Sequence, residues 1–255
     1  MIEDADFRVG DVLSVACRFT EARVTRLGWD SLVLEWPWWR RDPDSEFFHW
    51  NGQVALGVDA DARVWHETTL FRTEPPLDVL EPDDVCRVGV PPTVVHVTTV
   101  DRFDPPLETG WLPRPRVAVT VLPRGISCRD VPADSLVNAT GYELHPEDDI
   151  PFTVELLFRP YAFLHPGDEV GDASGRAWRF DGPWHWHAFD GGTATAGPRW
   201  PVTLLTRNGT PCAAEAAAAV AAATAAGSHR ETLAHWTRLT DAAPTPYGTA
   251  VPRLR

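Results

Sequence analysis

Short runs of β-branched and aromatic residues, cut at close intervals by proline, glycine and aspartate, fill the first 210 positions of this chain. The 24 prolines and 18 glycines leave few intervals long enough for a helix, so the pattern predicts strands. Val12–Phe19, Ala22–Leu27 and Ser31–Trp36 read as a meander, with Gly28-Trp-Asp30 as a turn. Phe47–Gly57 and Arg63–Arg72, joined by Val58-Asp-Ala-Asp61, predict a second hairpin. Thr93–Val100 and Arg116–Leu122 are too β-branched for helix and predict buried strands. Asp130–Tyr142 could hold a short helix, and strand character returns over Pro151–Phe163 and again in Arg176–Phe189 and Trp200–Arg207.

After Asn208-Gly209 the pattern changes. Ala213–Ala226 is almost all alanine, the best helix former, with Thr210-Pro211 in the order of a helix start and Gly227 as a stop. Ser228-His-Arg-Glu231 has the spacing of a capping box, and Leu233, Trp236 and Leu239 fall on one face of a second helix. The fold class expected is mainly β, an antiparallel barrel or sandwich followed by a C-terminal helical segment. The composition divides it into an N-terminal β region (1–125), a mixed connecting region (126–162), a C-terminal β unit (163–210) and the Ala-rich helical segment with its tail (211–255).

Three strand openings share a turn: Val9-Gly-Asp-Val12, Pro82-Asp-Asp-Val85 and Pro166-Gly-Asp-Glu-Val170. The third is followed by Gly175-Arg-Ala-Trp-Arg-Phe180, Pro183-Trp-His-Trp186 and Trp200-Pro-Val-Thr-Leu-Leu205. That order resembles the small SH3-like barrels, in which a Gly-Asp turn opens the first of five antiparallel strands. The resemblance is confined to Pro166–Arg207 and implies a barrel there. The unequal spacing of the three turns suits a single larger barrel or sandwich instead.

Composition narrows the chemistry. Acidic residues outnumber basic ones 36 to 23, a formal charge of -13, which disfavours nucleic acid and anionic membrane as partners. Every basic residue is arginine, the mark of a GC-rich genome of the actinobacterial kind. Without lysine the chain lacks the amine of a pyridoxal Schiff base and the phosphate-reaching residue of a Walker loop. Cys17, Cys86, Cys128 and Cys212 lie too far apart for a zinc knuckle or redox pair and read as buried thiols. An acidic start and the want of a long apolar run point to the cytoplasm. The common hydrolase, zincin and dinucleotide signatures do not occur.

Two groups of residues remain as candidates. In Pro183-Trp-His-Trp-His-Ala-Phe-Asp190, strand alternation puts His185 and His187 on one face and Trp184 and Trp186 on the other. Two imidazoles so placed can share a transition metal if a third ligand, preferably a carboxylate, joins them, for which Asp190, Asp181, His49 and His66 are available. Tryptophan is abundant, 12 residues, and Trp36-Pro-Trp-Trp-Arg-Arg41 cannot bury every indole on one sheet face. Trp36, Trp38, Trp39, Trp184 and Trp186 are therefore the expected ligand-binding residues. Flat indole faces suit a protein partner or a small aromatic or cationic ligand. The expected function is a non-enzymatic binding or interaction protein, inhibitory or immunity-like in one variant. The alternative is a small-molecule enzyme with a His185/His187 pocket.

Overall fold

The computed structural model describes residues 6–46, 48–59, 62–126, 141–146, 149–183, 185–190 and 197–241. The first part of the chain forms β1 (Val12–Leu27), β2 (Ser31–Glu35), β3 (Arg40–Arg41), β4 (Gln53–Asp59), β5 (Val64–Trp65) and β6 (Arg72–Glu74). Next come β7 (Val85–Arg102), β8 (Trp111–Leu112), β9 (Val117–Pro123), β10 (Tyr142–Leu144) and β11 (Phe152–Phe158). The last strands are β12 (Asp168–Gly171), β13 (Ala177–Gly182), β14 (His185–Ala188), β15 (Thr203–Arg207) and β16 (Thr210–Pro211), followed by α1 (Ala214–Thr224) and α2 (Ser228–Thr240). The protein is mainly β, its strands are antiparallel, and both helices lie at the C-terminal end. Among the described residues neither large sheet closes into a barrel, and no helix is long and apolar enough to cross a membrane.

Two long strands organise the first sheet. Near one end β1 pairs with β11 and with the Thr93–His96 stretch of β7, which continues into β9 and β10. Toward the other end β1 pairs with β2 and with Val85–Val88 of β7, while β2 carries β4 and β7 carries β6. Between these halves both strands slip register. Val15 and Cys17 face Thr93 and Val90, so the extra residue falls at Pro91-Pro92 of β7; Cys17 and Thr20 face Val90 and Val88, so the next falls at Arg18-Phe19 of β1. Paired bulges bend a ribbon sharply and give proline a place in a strand where no ladder N–H is needed. One core spans both halves, with Leu32, Leu34, Leu56 and Val58 on one side and Leu13, Val95, Val119 and Leu144 on the other.

The sequence pattern underestimated both long strands. The expected break between Phe19 and Ala22 is a bulge inside a continuous β1, and β7 begins eight residues before Thr93. The expected strand Arg63–Arg72 shrinks to the two residues of β5. Phe152–Phe158, within the expected connecting region, belongs to the first sheet. The helix considered for Asp130–Tyr142 lies almost wholly outside the described residues.

The second sheet, in the order β14-β13-β12-β15-β16, has its own core of Leu164, Val170, Trp178, Phe180, Trp186 and Leu204. Helix α1 covers it: Val220 joins the core and the Thr224 hydroxyl donates to Val202 O and accepts from Val202 N. Helix α2 reaches the first sheet, where Trp236 is buried against Val12 and donates its indole N–H to Gly10 O at 2.8 Å. Leu233 and Leu239 flank it, as the helical spacing predicts. Ser228 is not the expected cap. It is already helical, Gly227 at φ 93° precedes it, and its hydroxyl donates back to Ala223 O. Thr210-Pro211, the expected helix start, forms β16 instead.

All three Asp-containing turns have one geometry. In Arg8–Asp11, Glu81–Asp84 and His165–Asp168, the final aspartate carboxylate accepts the first residue's N–H at 3.0, 2.8 and 2.9 Å. Its own N–H returns to the first residue's carbonyl at 3.0, 3.2 and 2.9 Å. The third residue has φ of 88°, 73° and 89°, and its N–H donates across to Val97, Val24 and Phe180. Each turn thus closes on itself and starts a strand in register. Two of the three carboxylates also receive an arginine in bidentate fashion: Arg159 on Asp11 at 2.8 and 2.7 Å, and Arg207 on Asp168 at 3.1 and 2.8 Å.

Glycine fills the positive-φ position in two of these turns, whereas the middle one holds Asp83. A side chain there carries a steric cost that glycine avoids, so Asp83→Gly is expected to stabilise the protein by about 0.5–1 kcal/mol. A urea midpoint at or below that of the wild type would contradict this account.

His96 on β7 is buried beneath α2, its ring 5.2 Å from Trp236 and its Nδ1 without a partner among the described residues. Burial pulls its pKa from the ordinary 6.5 to about 4. Above pH 6.5 folded and unfolded chains are both neutral at this position. Below it only the unfolded chain takes up the proton, so stability falls as pH drops toward 4. The expected loss is about 2 kcal/mol at pH 5. Urea titrations at pH 7 and pH 5 should show it in the wild type and show a smaller drop in His96→Leu; equal drops would contradict the assignment.

Candidate functional site

The aromatic residues of the N-terminal region converge where β2 ends. Trp36 follows β2 and donates its backbone N–H to Gly52 O at 2.9 Å; Pro37 then turns the chain, so that Trp38 and Trp39 double back beside it. Trp36 is 5% exposed, with ring centroids 4.7 Å from Trp38, 5.6 Å from Trp39 and 5.0 Å from Phe71. Trp38 and Trp39 are half-buried.

The ribbon of β3 and β8 brings in a residue that sequence reasoning missed. Pairing of Arg41 with Trp111 lays the Trp111 indole flat on Trp39, 4.5 Å apart and 8° from parallel. Trp50 stands 6.0 Å from Trp39 and 6.4 Å from Trp111, held by its own indole N–H to Gln53 O at 2.9 Å. Beyond Phe71 lie Tyr142 of β10 and Phe152 of β11, at 5.6 and 6.0 Å. A two-residue ribbon has no periodicity to read, so only the proline-rich, Gly110-led context of Trp111 hinted at a turn.

Polar contacts fasten the loops around these rings. Asp42 is buried, accepts the Arg114 Nε–H at 2.6 Å and the Asp44 N–H at 2.9 Å, and gives its own N–H to Gly110 O. The Arg114 guanidinium holds the Asp42 carboxyl below the usual carboxylate range. Ser45 donates to Glu108 at 2.8 Å and accepts from Phe48 N–H. Gly110, at φ 80°, passes so close that a Cβ there would meet Phe48 Cβ at 2.8 Å.

The second candidate group behaves differently. Strand alternation holds in β14: His185 and His187 face solvent, while Trp186 turns into the core against Phe180 and Trp200. Trp186, 6% exposed, is therefore a core residue, and Trp184 lies outside the described residues. Asp190 is held by the Arg176 guanidinium at 2.6 and 2.5 Å. Across the strand pair, Arg179 faces His187 and is itself engaged by Asp181 at 2.7 and 2.9 Å. Among the described residues no group of three or more His, Cys, Asp or Glu is placed to share a metal ion. Of the described cysteines, Cys17 and Cys86 are buried and Cys212 is half-buried; burial pushes the Cys17 thiol up to about 11.

A notch beside Arg8, bounded by Pro160, Leu164 and Pro183, has room for little more than a water molecule. The aromatic cluster around Trp36, Trp39 and Trp111 is thus the one constellation that joins expected site residues on a partly accessible surface, among the described residues. No protein-family model, curated protein or solved structure matches this chain.

Proposed function

We propose that this is a binding protein that engages its ligand or partner protein through the indoles at the end of β2. The observation that carries the reading is a set of four half-buried indoles: Trp39, Trp50 and Trp111 pack on one another, and Trp38 joins them through buried Trp36. Aromatic faces concentrated in this way bind flat or cationic groups through stacking and quadrupole attraction, and they need no catalytic partner to do so. The partner classes that suit them are a protein segment or a small aromatic or cationic molecule. The acidic balance of the chain favours a neutral or basic one. A cytoplasmic setting and an SH3-like character for Pro166–Arg207 belong to the same reading; the first rests on the acidic start and the want of a long apolar run, the second on sequence order alone.

Intrinsic fluorescence tests the proposal. Titration with tetramethylammonium, a proline-rich peptide and neutral bicyclic aromatics should give a saturable change with at least one of the three. The double variant Trp38→Ala/Trp39→Ala, checked for folding by circular dichroism, should weaken that binding at least tenfold. If all three probes fail, or if the double variant binds as tightly as the wild type, the reading is wrong.

A further inference from the structure

The aromatic cluster contains two hydrogen-bond donors without acceptors. Trp36 Nε1 and Trp111 Nε1 are both buried and unpaired among the described residues. Elsewhere the fold supplies what a buried indole needs: Trp178 donates to Asp172 and Trp236 to Gly10 O. Trp186, in the second core, is a third unpaired buried indole, but it stands alone there, with half-buried Trp200 5.9 Å away, whereas Trp36 and Trp111 belong to one cluster. Leaving a buried donor unmet forfeits its hydration without return, so two in one cluster are a considerable penalty for an unoccupied surface.

The two rings share a neighbour. Trp39 bridges them, 5.6 Å from Trp36 and stacked at 4.5 Å on Trp111. A third buried and unpaired polar atom, Thr73 Oγ1, lies two residues along the chain from Phe71, whose ring is 5.0 Å from Trp36. An indole N–H can only donate, so whatever satisfies these groups must accept. A cation would leave both unmet. An anion would place a full charge among apolar rings against two neutral donors, which do not offset its desolvation, and the acidic chain repels it.

Resting on the binding reading above, we propose that the cluster binds a neutral planar ring bearing carbonyl oxygens, of the lactone, quinone or pyrimidinedione kind. Its face stacks on the half-buried indoles, and its carbonyl oxygens accept from Trp36 and Trp111 with small shifts of the rings. The carbonyl, more than the ring, sets the specificity, because a site with unmet donors discriminates strongly against a shape-matched guest that lacks the acceptor.

The test uses protein labelled with 15N at the tryptophan indoles, with the Trp36 and Trp111 signals assigned from Trp36→Phe and Trp111→Phe. The probes are coumarin, planar with a carbonyl, and naphthalene, of similar shape without one. Coumarin, which has one carbonyl oxygen, should move at least one of the two indole proton signals downfield and bind at least tenfold tighter than naphthalene, and Trp111→Phe should lessen that preference. Should Trp36→Phe fail to fold, the Trp111 signal and the coumarin-to-naphthalene ratio decide alone. Equal binding of the two probes with unmoved indole signals overturns the carbonyl inference and leaves the aromatic surface standing. Signals already downfield without ligand, and unmoved by coumarin, overturn it as well, because water then meets the donors. Failure of both probes to bind overturns this inference, and failure of the cation and the peptide in addition removes the binding reading.

Discussion

Gly89→Ala is expected to destabilise the protein by about 3 kcal/mol, the upper end for forcing a methyl into a packed core. Gly89 lies on β7 where β1 bulges toward it. A Cβ there would sit 2.8 Å from both Phe19 Cα and Phe19 N and 2.9 Å from Cys17 O. All three are backbone atoms, so no rotamer change relieves the contact. The only remedy is to separate the strands at the bend where the two halves of the first sheet join. Gly52 is the control. It has φ 86°, and a methyl added there would meet nothing within 4 Å, so Gly52→Ala carries only a backbone penalty of about 1 kcal/mol. Equal urea midpoints for the two variants would falsify the close-crossing account.

Asp172→Asn should cost about as much, roughly 3 kcal/mol, although it changes one atom. The carboxylate begins the turn after β12. Oδ1 accepts from Ser174 N–H at 2.8 Å, Ser174 O–H at 2.7 Å and Arg176 N–H at 3.0 Å, while Oδ2 accepts from the Trp178 indole and Arg199 N–H, both at 3.1 Å. An amide must point its own two donors at one of these sets, leaving buried N–H groups facing N–H. Burial alone opposes ionisation of Asp172, but the donors of Ser174, Arg199 and Arg176 outweigh it and hold the carboxyl far below the usual range. Its stabilising contribution is therefore complete above the unfolded value of about 3.9 and is lost as pH falls below that. Thermal melts should show Asp172→Asn well below the wild type at pH 7, with the gap narrowing below pH 4. A gap unchanged by acid would show that the charge is not what the turn uses.

Much of the fold was legible because its signals are local. The β-branched runs, the alanine helix, the Leu233-Trp236-Leu239 face and the alternation of His185 and His187 about Trp186 all follow from spacing within one element. The three Asp-containing turns were visible as short motifs, and in the structure they share bonds as well as residues. What stayed hidden depends on partners distant in sequence. Pro91-Pro92 reads as a strand break, and only the opposing Val15–Cys17 stretch makes it a bulge. Trp38 and Trp39 were identifiable as candidates, whereas Trp111 reaches them through a ribbon of two residues. The burial of Trp186 and the arginine partner of Asp190 are likewise tertiary facts.

The seat of Trp236 also has a bearing on synthesis. The strip it covers includes Val12, Val94 and Phe158, from three strands of the first sheet, and it bonds to Gly10, close to where that sheet begins. At about 5–20 residues per second, the ribosome needs roughly 10–45 s to travel from Val12 to Trp236. The strip is complete only once Phe158 has been made, so for the last 78 residues of that path, roughly 4–16 s, it stands without the cover that Trp236 supplies. Newly made chains therefore depend on holding factors or on slow collapse for that time, and a stop codon before Trp236 releases a product whose strip stays open.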